Sequence, residues 1–261
     1  MQAFDLHTHT CFCDGKNTPE EMVRAALAKG LSCIGFSAHS HTAFDESYCL
    51  SVEGTAAYRA EIAWLKEAYA GQIRVLCGIE QDFYSDMPTE GYDFVIGSVH
   101  YVNKNGQYYP VDESPEILQR VLRDAYGGDF YTLAEDYYQT VARVAEQTHA
   151  DIIGHFDLIS KFCERGVPFD SGNERYVNSY RAAIDALLPY DRPFEINTGA
   201  MSRRWRTAPY PSRDILACLR AKGGRVILSS DAHSTDGLCW AFDQADALRQ
   251  ELGFPEAALP V

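Results

Sequence analysis

His7 and His9 stand two residues apart in Asp5-Leu6-His7-Thr8-His9-Thr10, and Asp14 follows in the next turn. On a strand, residues i and i+2 leave the same face, so both imidazoles project to one side. The turn-like stretch Cys11-Phe12-Cys13-Asp14-Gly15-Lys16 sets a carboxylate just past the strand end. Imidazole nitrogens and a carboxylate oxygen arranged this way can begin a metal site. The far end of the chain repeats the pattern, where the apolar run Val226-Ile227-Leu228 delivers Asp231-Ala232-His233.

Between these poles the same placement recurs. His39, Glu80, His100 and His155 each sit where a short apolar run stops. Two close neighbours compete as ligands, His41 with His39 and Asp82 with Glu80. Of the eight histidines, only His149 falls at a helix end, where a capping or solvent-facing role suffices. Scattered surface histidines would not choose strand exits so regularly. Six imidazoles and three carboxylates exceed the needs of one four-coordinate ion and suit two or three. Nitrogen and oxygen donors without cysteine favour Zn, Mn or Fe over Ca or Mg.

The elements that carry these residues alternate. Thr18-Pro19-Glu20-Glu21 is a helix start, with a capping threonine, proline at the first position and acid in the first turn. That helix ends at Lys29-Gly30, and a strand follows over 31–37. Further helices are predicted over 52–69, 132–148, 174–188, 212–222 and 239–252, and further strands over 73–78, 94–99, 152–155, 194–197 and 226–230. The stretch 101–115 is polar, tyrosine-rich and without period, so it reads as a long surface loop. Seven short apolar strands separated by helices or long loops imply parallel strands covered by helices. Polar groups at the ends of successive strands gather at one end of a closed β/α barrel. An open sheet would spread them over several strand spacings.

The chain has 261 residues, enough for a sizeable core, and 1–261 reads as one domain. Hydrophobic residues make up 46% and charged residues 23%, an ordinary globular balance. No apolar run approaches the ~18 residues of a membrane span, and the N-terminus has neither the basic nor the apolar region of a secretion signal. Eight scattered cysteines without a CxxC pair suggest a reduced, cytoplasmic protein. A formal charge of -14 argues against nonspecific nucleic-acid binding, which needs a basic surface. It leaves a small anionic substrate open, because bound cations would reverse the local charge.

Taken together, the segments DLHTHTCFCDGK (5–16), SAHS (37–40), Ile79-Glu80, GSVH (97–100), IGHFDL (153–158) and SSDAH (229–233) resemble the successive motifs of the polymerase and histidinol phosphatase (PHP) superfamily. The closest fit is its monofunctional histidinol-phosphate phosphatase branch. The resemblance extends to 14–30 and 195–212, so it covers essentially the whole chain. It implies a distorted seven-stranded (β/α)7 barrel, similar to a TIM barrel, with a trinuclear metal site. By position, His7, His9, Glu80 and Asp231 would hold the first ion. Glu80 would bridge to a second ion held by His100 and His155, and Asp14, His39 and His233 would hold the third. Many superfamily members carry histidine where Asp14 stands, and the acidic form is common in the histidinol-phosphatase branch. Asn197-Thr198-Gly199-Ala200-Met201 departs from the expected Asn-Thr-Ser-Gly-Leu, a change that falls on the loop more than on the metal site.

The activity so implied is hydrolysis of L-histidinol phosphate to L-histidinol and inorganic phosphate, within histidine biosynthesis. A hydroxide bridging two ions would attack phosphorus, and the ions would clamp the nonbridging oxygens. Glu80, Asp231 and His233 are the candidate catalytic groups, the last two as helpers in protonating the departing alkoxide. Arg165, Arg203 and Arg204 are candidates to hold the phosphate, since planar guanidinium forks match its oxygens. Asp45, Glu46, Tyr101 or Tyr109 could meet the amine and imidazole of the substrate. Another small phosphate monoester, or phosphotyrosine, would use the same metal site with different loops. An amidohydrolase with a carboxylated lysine fits less well, because Glu80 stands where that lysine would bridge.

Overall fold

Short buried strands and amphipathic helices alternate along the chain, as the sequence pattern requires. The structure, a computed structural model, describes residues 2–260. The first unit is β1 (Phe4–Asp5), α1 (Pro19–Ala28) and β2 (Cys33–Phe36). Thr18 caps α1 in a reciprocal box with Glu21, with Pro19 in the first turn, so the start read from sequence is the start that forms. The chain continues through α2 (Val52–Ala68), β3 (Arg74–Asp82) and β4 (Phe94–Ser98).

Three departures from the sequence expectation follow β4. Residues 101–115 are not an unstructured loop: β5 (Tyr101–Lys104) and β6 (Gln107–Pro110) pair as an antiparallel hairpin. Asn105 and Gly106 occupy its tip with positive φ, which is the turn chemistry that a two-residue hairpin needs. A helix, α3 (Pro115–Tyr126), comes next, started by Ser114 and buried through Leu118, Val121 and Leu122. The helix expected over 132–148 is two helices, α4 (Phe130–Val141) and α5 (Val144–Thr148).

The remainder is β7 (Ile152–Ile153), α6 (Glu174–Leu187), β8 (Phe194–Asn197), α7 (Gly199–Ser202), α8 (Arg213–Ala221), β9 (Val226–Ser229) and α9 (Phe242–Glu251). Seven strands form one all-parallel sheet in the order β1-β2-β3-β4-β7-β8-β9. The sheet curls until β9 meets β1. There Thr8 bridges Ala232, and the His9 N–H donates to the Ala232 carbonyl at 2.8 Å. Nearer the base, the Gln2 side chain stands in for a missing strand residue. Its amide donates to the Leu228 carbonyl at 2.7 Å and accepts from the Leu228 N–H at 2.9 Å. The result is a nearly closed, TIM-barrel-like α/β fold with helices around the parallel barrel.

Phe4, Leu6, Leu76, Phe94, Ile96, Ile152 and Ile227 form one compact apolar cluster contributed by strands around the ring. Larger clusters join the strands to the surrounding helices. Among the described residues, no helix is long and apolar enough to cross a membrane.

Candidate metal centre

Glu80, near the end of β3, is the hub of the site. Its Oε2 lies 2.9 Å from His39 Nδ1, 3.2 Å from His7 Nε2 and 3.5 Å from His9 Nε2. Its Oε1 lies 2.9 Å from His155 Nε2 and 3.4 Å from His100 Nε2. Five imidazoles from four strand ends therefore face one buried carboxylate. The i, i+2 pair does share a face: the His7 and His9 rings are 5.1 Å apart and both side chains are fully buried. The regular ladder of β1 covers Phe4–Asp5, and beyond it Thr8 bridges Ala232 on one side while its carbonyl accepts the Ser37 N–H at 3.0 Å on the other.

Asp14 and His233 complete a second focus nearer solvent. His233 Nε2 is 3.1 Å from Asp14 Oδ2, and His39 Nε2 is 3.7 Å from Asp14 Oδ1. The turn that brings Asp14 back depends on Gly15, where a Cβ would sit 2.5 Å from the Thr10 nitrogen. Asp231 Oδ1 is 3.3 Å from His9 Nε2. Its backbone has φ 49°, a left-handed conformation that is costly for a residue with a side chain and that recurs at functional sites. Gly199 makes room beside it, since a Cβ there would lie 2.6 Å from Asp231 Oδ2 and 2.8 Å from an Arg203 nitrogen.

Of the competing ligands, His41 turns away. Its Nδ1 lies 3.2 Å from the Leu50 carbonyl and its Nε2 faces Glu46 at 3.8 Å. Asp82 sits behind His100, with Oδ2 3.1 Å from His100 Nδ1. Four overlapping groups could each hold an ion: His9-Asp14-His39-His233, His7-Glu80-His155, His7-His9-Asp231 and His39-Glu80-His100. All nine sequence-derived candidates belong to at least one of them.

The donor chemistry fits metal ions. His7 Nε2, His9 Nε2, His39 Nδ1 and Glu80 Oε2 are buried yet have no hydrogen-bond partner, although they face one another. Buried polar atoms are normally paired. Neutral imidazole lone pairs aimed at carboxylate oxygens repel unless a cation lies between them, and nitrogen with oxygen donors suit a borderline divalent ion. The electrostatics are correspondingly tense. Burial would raise the Glu80 carboxyl, but His7, His39 and His100 together hold it well below the usual carboxylate range. Burial, with His233 and His39 as neighbours, drives the His9 imidazole down to about 3.

Two groups that support the site have no place in the sequence expectation. Glu195 Oε1 lies 2.7 Å from His7 Nδ1, and Lys161 enters the cavity from the segment after β7. The signal for Glu195 was available, as a lone acid inside the apolar strand Phe194-Glu195-Ile196. Lys161 is tied to Asp112 Oδ2 at 3.0 Å, a pairing across 49 residues that no local pattern announces.

A cavity of about 300 Å³ opens above the metal-ligand candidates. Arg203 and Lys161 bring cations to it, and Asp45, Asp112, Glu113, Tyr48 and Tyr101 line it as well. Arg203 donates to Asp231 Oδ2 at 2.8 Å and to the Asp231 carbonyl at 2.9 Å. Arg165 and Arg204 are exposed, and neither lines this cavity. Asp45 and Tyr101 line it together, joined by a 2.7 Å hydrogen bond from the tyrosine hydroxyl, whereas Glu46 and Tyr109 do not.

The PHP domain family matches residues 5–199. A chain from Schizosaccharomyces pombe named "Probable histidinol-phosphatase" is 29% identical over 248 residues, covering 87% of this chain and 79% of its own. One of the same name from Deinococcus radiodurans is 29% identical over 257 residues, covering 94% and 91%. Among solved structures, histidinol phosphate phosphatase from Lactococcus lactis, complexed with zinc, L-histidinol and phosphate, superposes with a TM-score of 0.72. It is 23% identical, and the match covers 98% of this chain and 96% of that one.

Proposed function

The chain belongs to the PHP family, in its histidinol-phosphatase branch, and from that premise we propose that it hydrolyses L-histidinol phosphate to L-histidinol and inorganic phosphate with divalent metal ions. Phosphoesterase chemistry follows from family membership together with the clustered ligands. The single observation that carries the proposal is the juxtaposition at one barrel end. Partnerless imidazole and carboxylate atoms converge around Glu80 beneath a cavity that holds both cationic and anionic side chains. The relatives' names supply the substrate, and the zinc, L-histidinol and phosphate bound by the Lactococcus lactis protein support the same reading.

His7, His9, Asp14, His39, Glu80, His100, His155, Asp231 and His233 would hold the ions, with Zn, Mn or Fe suited to the donor set and three the number implied by the family resemblance. Such ions would supply Lewis acidity for the phosphoryl oxygens and a water ionised near neutral pH. The chain's own residues do the rest. Arg203, anchored on Asp231, and Lys161, anchored on Asp112, present their remaining N–H groups to the phosphate oxygens. Asp231 and His233 both line the cavity. Burial would raise the Asp231 carboxyl, but Arg203 and His7 hold it well below the usual carboxylate range, so His233 is the one of the two that can carry a proton to the departing alkoxide. Asp45, Asp112 and Glu113 offer carboxylates to an amine or imidazolium, and Tyr48 and Tyr101 offer ring faces to the heterocycle. A cavity of about 300 Å³ suits a small monoester better than a phosphopeptide.

The test is phosphate release from L-histidinol phosphate and a panel of other monoesters, using the full chain loaded with Zn, Mn or Fe. The expected outcome is a kcat/KM about 100-fold or more above the panel for L-histidinol phosphate. Equal, weak turnover of every ester would leave the hydrolytic centre standing and sink the substrate.

A further inference from the structure

Glu195 is fully buried on β8, and three groups converge on its carboxylate. Its Oε1 lies 2.7 Å from His7 Nδ1. Its Oε2 accepts the backbone N–H of His155 at 2.9 Å and the side-chain amide of Asn197 at 3.1 Å. The Asn197 amide cannot turn over without loss, because its Oδ1 accepts the Gly199 N–H at 2.9 Å. A carboxylate only accepts, so His7 must donate from Nδ1. Its Nε2 is then left as the nitrogen facing Glu80 Oε2 at 3.2 Å and Asp231 Oδ1 at 3.9 Å.

We propose that Glu195 is a positioning residue that fixes which nitrogen His7 offers to a metal ion and registers that nitrogen against His155. The inference rests on the reading of His7 as a metal ligand. One carboxylate spans two ligand groups, His7-His9-Asp231 through His7 itself and His7-Glu80-His155 through both histidines. Outer partners of this kind orient a ligating imidazole and raise its basicity.

The isosteric amide exposes the logic. In a Glu195→Gln variant one terminal atom becomes a donor. The His155 N–H and the Asn197 amide cannot become acceptors, so the glutamine oxygen must serve them and its NH₂ must face His7 Nδ1. His7 can satisfy that donor only by moving its proton to Nε2. The proton then points at Glu80, into the space between the two groups that a cation would otherwise share. Size and shape are nearly unchanged, yet the coordinating lone pair is lost.

The experiment titrates zinc, in competition with a chromophoric chelator, into the metal-free full chain as wild type and as E195Q, and follows thermal unfolding of both metal-free forms. Zinc affinity is expected to fall about 10–100-fold in the variant. The metal-free melting temperature is expected to stay within about 3 °C of wild type, because one buried hydrogen-bond donor replaces a buried charge. Equal zinc affinity and stoichiometry in the two chains would overturn the proposal. Should E195Q fail to fold, ¹⁵N-edited NMR of the histidine rings in zinc-loaded wild type decides the matter. An exchange-protected proton on His7 Nδ1 supports the proposal, and a proton on Nε2 overturns it. A wild-type chain that takes up no zinc would instead overturn the metal reading beneath it.

Discussion

The inner wall and the outer rim of the barrel mouth use the same residue types in opposite ways. The wall is His7, His9, Glu80, His100 and His155, all buried and all at strand exits. Two of its imidazoles are held from behind by further carboxylates, His7 by Glu195 and His100 by Asp82. The rim is Asp14, His233, Arg203 and Lys161, all partly exposed. These sit on turns and loops, and they pair with one another or with single carboxylates. A fixed wall can define ion positions before any substrate arrives, whereas a rim reached from solvent can adjust to the molecule that enters. Preorganised charge is the larger contributor to most catalysis, so the wall should be the less forgiving region.

The largest effect should follow from removing the charge at the centre of the wall. Glu80→Gln leaves five imidazoles without their shared anion. We expect kcat/KM for L-histidinol phosphate to fall about 10³-fold or more, with bound metal falling in parallel by elemental analysis. Asp14→Asn is the matched change on the rim, and it should cost about ten- to a hundredfold, because Asp14 belongs to one ligand group where Glu80 joins two. Equal losses at the two positions would erase the distinction between wall and rim.

A smaller effect should come from the rim cations. Lys161→Ala removes an ammonium that contacts Asp112 rather than any ligand candidate. KM for L-histidinol phosphate should rise about tenfold, with metal content unchanged and kcat within about threefold. Arg203→Ala should lower kcat as well, because Arg203 also holds Asp231 and lies 3.0 Å from His233 Nδ1. Steady-state kinetics on the metal-loaded variants separate the two cases. A kcat loss in the lysine variant as deep as in the arginine variant would place Lys161 with the wall.

The same contrast sets what could be read from the sequence. The wall follows from strand periodicity. A histidine or acid that ends an apolar run in a parallel barrel has one place to go, so His7, His9, Glu80, His100 and His155 were legible residue by residue. Asp14 and His233 were legible because they adjoin such runs. The rim depends on where loops travel, and Arg165, Arg203 and Arg204 look alike in sequence while only Arg203 enters the cavity. Tyr101 to Pro110 hid a hairpin because its polar tyrosines mask strand alternation. The helix at Pro115–Tyr126 carried usable signals, Ser114-Pro115 at its start and Ile117, Leu118, Val121 and Leu122 at helical spacing. Glu195 showed its burial, as a lone acid inside an apolar strand, but its role stayed hidden because its partner His7 lies 188 residues away.

A last contrast, read in stability rather than in turnover, probes what supports the wall from below. Asp5, two residues before His7, is fully buried and accepts from the Ser230 hydroxyl, from the Ser230 N–H at 3.3 Å and from the Cys239 N–H at 3.3 Å. Burial raises its carboxyl from 3.8 to about 6, and these hydrogen bonds offset only part of the shift. The folded state therefore holds the Asp5 proton in a pH window where the unfolded chain has released it. Stability from this group falls as pH rises from about 4 to about 6, and the cost persists above that window. An Asp5→Asn variant keeps an accepting oxygen and loses the titration, with the Ser230 hydroxyl able to accept from the new amide. In urea unfolding of the metal-free chains, the variant should gain up to about 3 kcal/mol on wild type as pH is raised from 4 to 7. The difference between the two chains cancels every other titrating group that the substitution leaves alone. A flat difference would mean that Asp5 is held by its hydrogen bonds as firmly charged as neutral, and that the base of the wall is as tolerant of charge as its rim.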